Sequence, residues 1–195
     1  MKNNAKMEEI MNAAVSLFGF KGYLRTSMTE IAEAVELTKG GLYHYFNKKE
    51  DILVKIHDRM LNAFEKSFRE SSLPTEDPGV RLSNWMRAHA ILMKEYQPHV
   101  KVFFTELDHL KNSKHYTRIV AQRDEIFNLF FNIIKEGQNQ KLFRRDIHPK
   151  VLAFLIMGMV NWFYQWYRPD GSRSIGKIIK DVQHLVFDGV VKHQE

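Results

Sequence analysis

Apolar residues recur along this chain at the 3.6-residue spacing of amphipathic helices. No stretch shows the strict alternation of a half-buried strand, so the pattern predicts an all-α protein of about nine helices. Met7, Ile10, Met11, Ala14, Leu17 and Phe18 mark a first helix, closed by Gly19 and Gly22. Ser27-Met28-Thr29-Glu30 has the form of a capping box, in which serine and glutamate side chains reciprocally satisfy the first backbone amides of a helix. Ile31, Ala34 and Val35 give that helix one apolar side. Glu36-Leu37 reads as a short turn and Thr38 as the next cap, and Leu42, Tyr45 and Phe46, at i, i+3 and i+4, anchor a third helix. Asn47, with Glu50 three positions on, is placed to cap a longer helix whose stripe runs through Ile52, Leu53, Ile56, Met60, Phe64 and Phe68.

Residues 71–79, with two prolines and a glycine, form the clearest break in the chain. Helical periodicity then resumes at about 80–96, at 98–110 with Pro98 as first helical residue, and at about 115–137. A polar turn over 138–149 carries Arg144-Arg145, and Pro149 is placed to open the next helix. That helix, 150–167, is apolar nearly all round and therefore has to be covered on both sides. Arg168-Pro169-Asp170-Gly171 stops it. Ser172 or Ser174 can cap a last helix, 174–191, striped by Ile175, Ile178, Ile179, Val182, Leu185 and Val186.

The stretch from Thr38 to Glu50 changes what these helices mean. It packs small, aromatic and basic residues into about three turns and holds no acid before Glu50, as a surface meant to lie against phosphates would. Each of Gly40 and Gly41 costs a helix roughly 1 kcal/mol against alanine, yet lets the backbone come close to another surface. With Leu42, Tyr45 and Phe46 on the buried side, Lys39, Tyr43 and His44 present hydrogen-bonding tips on the other. Helix, short turn and short helix together make a helix-turn-helix unit over about 27–46, whose second helix enters the DNA major groove. Arg25 and Thr26 in the preceding connection and Lys48 after it are placed to touch phosphate, and Thr38 and Gly40 lie at the start of the reading helix.

At these residues the chain resembles a known family. Thr29-Glu30-Ile31-Ala32, then Lys39-Gly40-Gly41-Leu42-Tyr43-His44-Tyr45-Phe46, then Lys48-Lys49-Glu50-Asp51-Ile52-Leu53 resemble the DNA-binding domain of TetR-type bacterial repressors, over about residues 4–63. The resemblance implies a three-helix DNA-binding domain at 4–63, joined by a shared helix to a ligand-binding and dimerisation domain at 64–195. It also implies that the last two helices pair with their copies in a homodimer, that the operator DNA is palindromic, and that a small-molecule effector controls binding.

Composition limits the alternatives. The 195 residues carry a net charge of +6 and no cysteine, which excludes disulfides, thiol catalysis and cysteine-ligated zinc and fits a reducing cytoplasm. The basic excess is not concentrated in the DNA-reading part: residues 1–50 hold seven basic and six acidic residues, so placement rather than total charge carries the argument. No export signal is visible at the N-terminus, and the most apolar run, from Val151 to Tyr167, is too short and too interrupted for a membrane span. Glu106 and His109 have the Glu-x-x-His spacing of di-iron bundle proteins, but the second copy such a site needs is missing. No nucleophile elbow, P-loop or dinucleotide fingerprint occurs, so no catalytic residue, metal or cofactor is expected.

One C-terminal stretch stands apart. Asn161, Gln165 and Arg168, at i, i+4 and i+7, would run a polar seam down the apolar helix beside Trp162 and Trp166, either as hydrogen bonds across a dimer interface or as the wall of a ligand pocket. Its Asn-Trp-x-x-x-Trp-Tyr pattern is similar to that of TetR-like regulators sensing acyl-CoA thioesters in fatty-acid or sterol breakdown. That resemblance implies an acyl-CoA, or a similarly long amphipathic effector, with its apolar part among Phe103, Phe104, Phe127 and Phe130. The polar part would then meet Asn161, Trp162, Gln165, Trp166 and Arg168, whose guanidinium fork matches phosphate oxygens. The rival readings are a helical acyl-binding enzyme or carrier without DNA binding, and a ligand-independent nucleoid or partner-binding protein.

Overall fold

Ser27 starts a helix by the mechanism its spacing predicts. Its hydroxyl accepts from the Glu30 amide at 3.2 Å, and the Glu30 carboxylate accepts from the Ser27 amide at 2.8 Å. The computed structural model of the chain describes residues 2–74 and 76–190. Among these it shows helices and no strand: α1 Lys2–Lys21, α2 Met28–Ala34, α3 Lys39–Tyr43, α4 Lys49–Ser71, α5 Pro78–Glu95, α6 Gln97–Thr105, a 3-10 turn Leu107–Leu110, α7 Tyr116–Asn139, α8 Pro149–Asn161, α9 Phe163–Trp166 and α10 Ile175–Val190. The last residue of the expected helix 174–191 lies outside the described residues, as does the end of the expected domain 64–195.

Several boundaries differ from the sequence expectation, each for a local reason. The α4 helix begins at Lys49, one residue later than a cap at Asn47 requires, and the Asp51 carboxylate accepts from the amide of Lys48 just before it at 3.1 Å. The expected helix 98–110 stops at Thr105 and continues as a tighter 3-10 turn. The expected helix 150–167 ends at Asn161, and Trp162 separates α8 from the single turn of α9.

The chain folds as two compact units. One comprises the residues up to Leu61 together with Pro98–Ala121, and the other comprises Asn62–Gln97 with the residues from Gln122 onward. In the first unit, Ile10, Met11, Ala14, Val15 and Phe18 of α1 are buried with Ile31, Leu42, Phe46, Ile52, Leu53 and Ile56. The α6–α7 segment is tied into this unit by specific bonds. Lys101 donates to the Gly19 carbonyl at 2.6 Å, Ser113 donates to Glu50 at 2.8 Å, and Arg118 pairs with Asp58 at 2.7 Å.

In the second unit, Trp85, Phe130, Ile133, Ile134, Leu152, Ile156, Val160 and Phe163 are buried, and the Trp85 and Phe130 rings lie 4.1 Å apart. At the end of α7 a Cβ on Gly137 would sit 2.2 Å from the Phe143 ring, so only glycine lets the chain fold Phe143 back onto the helix. Within one chain the α8 helix is covered on one side only. Leu152, Ala153, Ile156 and Val160 are buried, but Val151, Phe154 and Leu155 form an exposed apolar stripe continued by Trp162. The α10 stripe also divides: Ile175, Ile179 and Val186 pack inward, while Leu185 is 63% exposed.

Candidate nucleic-acid interface and effector region

The DNA-reading surface is built from two short helices whose ends are fixed by side chains. After α2 the chain reverses through Glu36, held at φ +55, and Thr38 caps α3 by accepting from the Gly41 amide at 3.1 Å. The α3 helix has five residues and gives way to a turn at His44, so it is shorter than the sequence reading implied. Leu42 and Phe46 are buried beneath it. Lys39, Gly40, Tyr43 and His44 are exposed together on its outer side, joined by Thr38 before them and Lys48 after them. The His44 ring meets Tyr45 edge-on at 5.5 Å.

Charge on this surface is arranged locally. Lys48 pairs with Glu50 at 3.0 Å, and this bond raises the lysine pKa and lowers that of the glutamate, which also accepts from Ser113. Glu30 pairs with Lys21, and together with the bonds from Ser27 this holds its carboxyl down at about 2. Lys39, Tyr43 and His44 have no acidic neighbour within α3 itself.

Thr26 does not belong to the exposed set. It is 2% exposed, and its hydroxyl donates to the Gly22 carbonyl at 3.0 Å, so its side chain holds the α1–α2 connection together. Arg25 beside it is exposed. The residue that shapes this connection is Lys49, which sequence reasoning passed over. Its ammonium donates to the Tyr23 and Thr26 carbonyls, both at 2.6 Å, and lies 4.2 Å from the centre of the Tyr23 ring, while burial lowers its pKa. No local spacing signals such a contact, because the partners are more than twenty positions apart.

The residues expected to meet an effector fall into separate groups. Phe103 and Phe104 belong to the first compact unit, where Phe103 packs against His57 at 5.1 Å and Phe104 at 5.3 Å. Phe127 and Phe130 belong to the second, with Phe127 stacked on Phe154 at 4.6 Å. The break at Trp162 also dissolves the expected seam. Asn161 bonds inward to His89 at 2.8 Å, whereas Gln165 is exposed and donates to the Tyr164 hydroxyl at 3.2 Å, and Arg168 is exposed. Trp166 and Arg168 do come together. They line an open groove of about 560 Å³ between the end of α9 and α10, with Tyr167, Arg173, Ile178 and Leu185, and Arg173 is paired there with Asp181.

Glu106 and His109 are occupied with each other at 3.2 Å, and the His109 ring stacks on Tyr23 at 5.2 Å. Among the described residues no cluster of three or more metal-ligating side chains forms, and no helix is long and apolar enough to cross a membrane.

A capped helix pair whose second helix presents an acid-free outer face, in a chain that is otherwise a helical bundle, defines a helix-turn-helix DNA-binding protein. Comparison with known proteins narrows the class. Residues 10–56 match the family model for bacterial regulatory proteins of the tetR family, and residues 75–190 match the tetracyclin repressor-like C-terminal domain. The chain belongs to the TetR family. It is 26% identical over 188 residues, 96% of this chain and 92% of the relative, to the HTH-type transcriptional repressor KstR2 of Rhodococcus jostii. The structure of the ketosteroid transcriptional regulator KstR2 of Mycobacterium tuberculosis superposes with a TM-score of 0.89 at 20% identity, over 96% of this chain and 95% of that one. The structure of AibR in complex with isovaleryl coenzyme A and operator DNA superposes with a TM-score of 0.81 at 29% identity, over 92% of this chain and 97% of that one. The protein is a ligand-responsive transcriptional regulator that binds operator DNA as a dimer.

Proposed function

We propose that this chain is a cytoplasmic repressor, without enzymatic activity, that leaves a palindromic operator when an acyl-CoA thioester binds. Residues 4–63 read the DNA, and residues 64–195 bind the effector and form the dimer. The observation that carries the DNA-reading half is the outer face of α3, where Lys39, Gly40, Tyr43 and His44 stand exposed above buried Leu42 and Phe46. Arg25, Thr38 and Lys48 border that face and serve phosphate contacts that set register, while Lys39 and Tyr43 reach the groove.

The acyl-CoA half is supported by the superposition on a neighbour bound to isovaleryl coenzyme A, and by the joining of Trp166 and Arg168 in one groove. An indole wall for an apolar or adenine surface beside a guanidinium fork for phosphate is what a CoA ester requires. The dimer is supported by the exposed stripe of Val151, Phe154 and Leu155 on α8 and by exposed Trp162 and Leu185, large apolar side chains that a lone chain would leave in water. An effector shifts such an equilibrium only by binding the two conformations unequally.

A gel shift on the DNA upstream of the protein's own gene, with isovaleryl-CoA, longer acyl-CoAs, free CoA and free fatty acids added in turn, tests both halves. Operator release by an acyl-CoA and not by free CoA is the expected result. An operator complex indifferent to every ester would refute the effector reading, and no operator complex at all would refute the repressor reading.

A further inference from the structure

Lys48, at the border of the DNA-reading face, carries a counter-charge that is tied down from elsewhere in the chain. Its ammonium donates to the Glu50 Oε1 at 3.0 Å, and the same oxygen accepts from the Ser113 hydroxyl at 2.8 Å, across 63 positions of sequence. Ser113 lies in the connection between the 3-10 turn and α7. Its oxygen accepts from the His115 amide at 3.3 Å, which leaves the hydroxyl hydrogen for Glu50. The bonds from Lys48 and Ser113 lower the glutamate pKa, so the carboxylate is charged at neutral pH.

A lysine and a glutamate two positions apart at a helix start ordinarily make a loose contact, because both side chains are free to rotate into water. Here the two differ. The Lys48 side chain is 59% exposed and that of Glu50 25%, and the serine holds the carboxylate in place. The segment that supplies the serine is itself fastened within the same compact unit. The Ser113 amide donates to the Leu110 carbonyl at 2.8 Å, the His109 ring stacks on Tyr23, and Arg118 pairs with Asp58. A phosphate that reaches Lys48 has to take the ammonium from Glu50 and then lie beside a negative charge that is held where it stands.

We propose that Glu50, held by Ser113, is a brake on the phosphate contact of Lys48. The proposal rests on the docking of Lys48 given above. It adds that the connection before α7, far from the helix-turn-helix in sequence, sets how strongly that surface attracts DNA. A phosphate contact is blind to sequence, so the brake lowers affinity for operator and random DNA alike. It acts without an effector.

Two single substitutions lift the brake by different routes. Glu50→Gln removes the charge but keeps an oxygen to accept from Ser113, so the connection stays tied. Ser113→Ala keeps the charge but lets the carboxylate turn away from an incoming phosphate. The measurement is fluorescence anisotropy of the effector-free protein on operator and on random DNA at low salt. Each variant should bind both DNAs roughly twofold to fivefold more tightly than wild type, the equivalent of about 0.4–1 kcal/mol for an exposed ion pair, and the gain should fade as salt is raised. Ser113→Ala should add nothing in the Glu50→Gln protein and nothing in the Lys48→Ala protein. A serine that only staples the connection behaves oppositely: its removal lowers the urea midpoint and weakens operator binding. That result, or unchanged affinity in either single variant, would overturn the brake while a loss in Lys48→Ala leaves the docking intact. A Ser113→Ala gain that persists without Lys48 would overturn it as well. A Lys48→Ala protein that binds DNA as tightly as wild type would refute the docking of Lys48, and the brake with it.

Discussion

Gly40 offers a test in which stability and function move in opposite directions. It is exposed on the outer face of α3, its φ is not in the left-handed region, and a Cβ built there meets no atom within 4 Å. Nothing inside the protein therefore asks for glycine. Gly40→Ala should stabilise the fold by about 0.5–1 kcal/mol, because alanine surrenders less backbone entropy on entering a helix. If the glycine instead provides clearance for DNA, the added methyl intrudes on a close-packed interface. Overpacking of that kind costs about 1–3 kcal/mol, or roughly fivefold to more than a hundredfold in operator affinity.

Gly41 supplies the control. A Cβ there would lie 3.3 Å from the Thr38 hydroxyl oxygen and 3.6 Å from Leu37, so Gly41→Ala meets its obstruction within the protein and should gain little or no stability. Urea unfolding of the two variants, paired with fluorescence anisotropy on operator and on random DNA of equal length, reads both quantities. A more stable Gly40→Ala protein that binds the operator as tightly as wild type would show that α3 does not approach DNA across this face.

Three further outcomes are expected. Lys48→Ala should weaken specific and non-specific DNA alike and lower the salt slope by about one, whereas Tyr43→Ala should lose operator affinity selectively; anisotropy across a salt series distinguishes them, and no change in either variant refutes the docking. Leu185→Glu should be tolerated by the isolated chain, whose Leu185 is already 63% exposed, but should cost several kcal/mol when the carboxylate is buried against a second copy, so sedimentation should show dissociation in the variant and a dimer in wild type. Stability should also fall as pH drops from 6.5 to 4. In that window the unfolded chain takes a proton on residue 89 while the folded imidazole, with a pKa of about 4, does not; the loss is about 3 kcal/mol, and denaturation of His89→Gln across the range should lack that component. His99, also depressed by burial and by Arg59, acts in the same direction and remains in both proteins.

The DNA-reading half was legible because its signals are local. A capping box spans four residues, a threonine cap answers an amide three positions on, and the side of α3 that Leu42 and Phe46 bury follows from helical spacing alone. Thr26 was misplaced for the opposite reason. A threonine before a helix looks available for phosphate, and only the fold reveals that its hydroxyl is turned to Gly22 while Lys49, far along the chain, grips its carbonyl. Periodicity likewise places Phe103 and Phe130 on the buried sides of their helices but is silent about the compact unit in which each is buried.

The seam of Asn161, Gln165 and Arg168 shows how one break in a helix redistributes chemistry. On a continuous helix, residues at i, i+4 and i+7 face one way and have to serve a common purpose. The chain from Lys150 to Tyr167 carries no proline or glycine at the point of change, so nothing local announces that α8 stops at Asn161. What holds the end of the helix there is tertiary: Asn161 is bonded to His89 of α5, and the Gln97 side chain, beyond the same helix, donates to the Tyr167 carbonyl at 2.9 Å. Between those two anchors only a single turn of helix fits before the chain leaves toward α10. The polar groups consequently part, with the asparagine turned into the aromatic stack and the arginine left at an open groove.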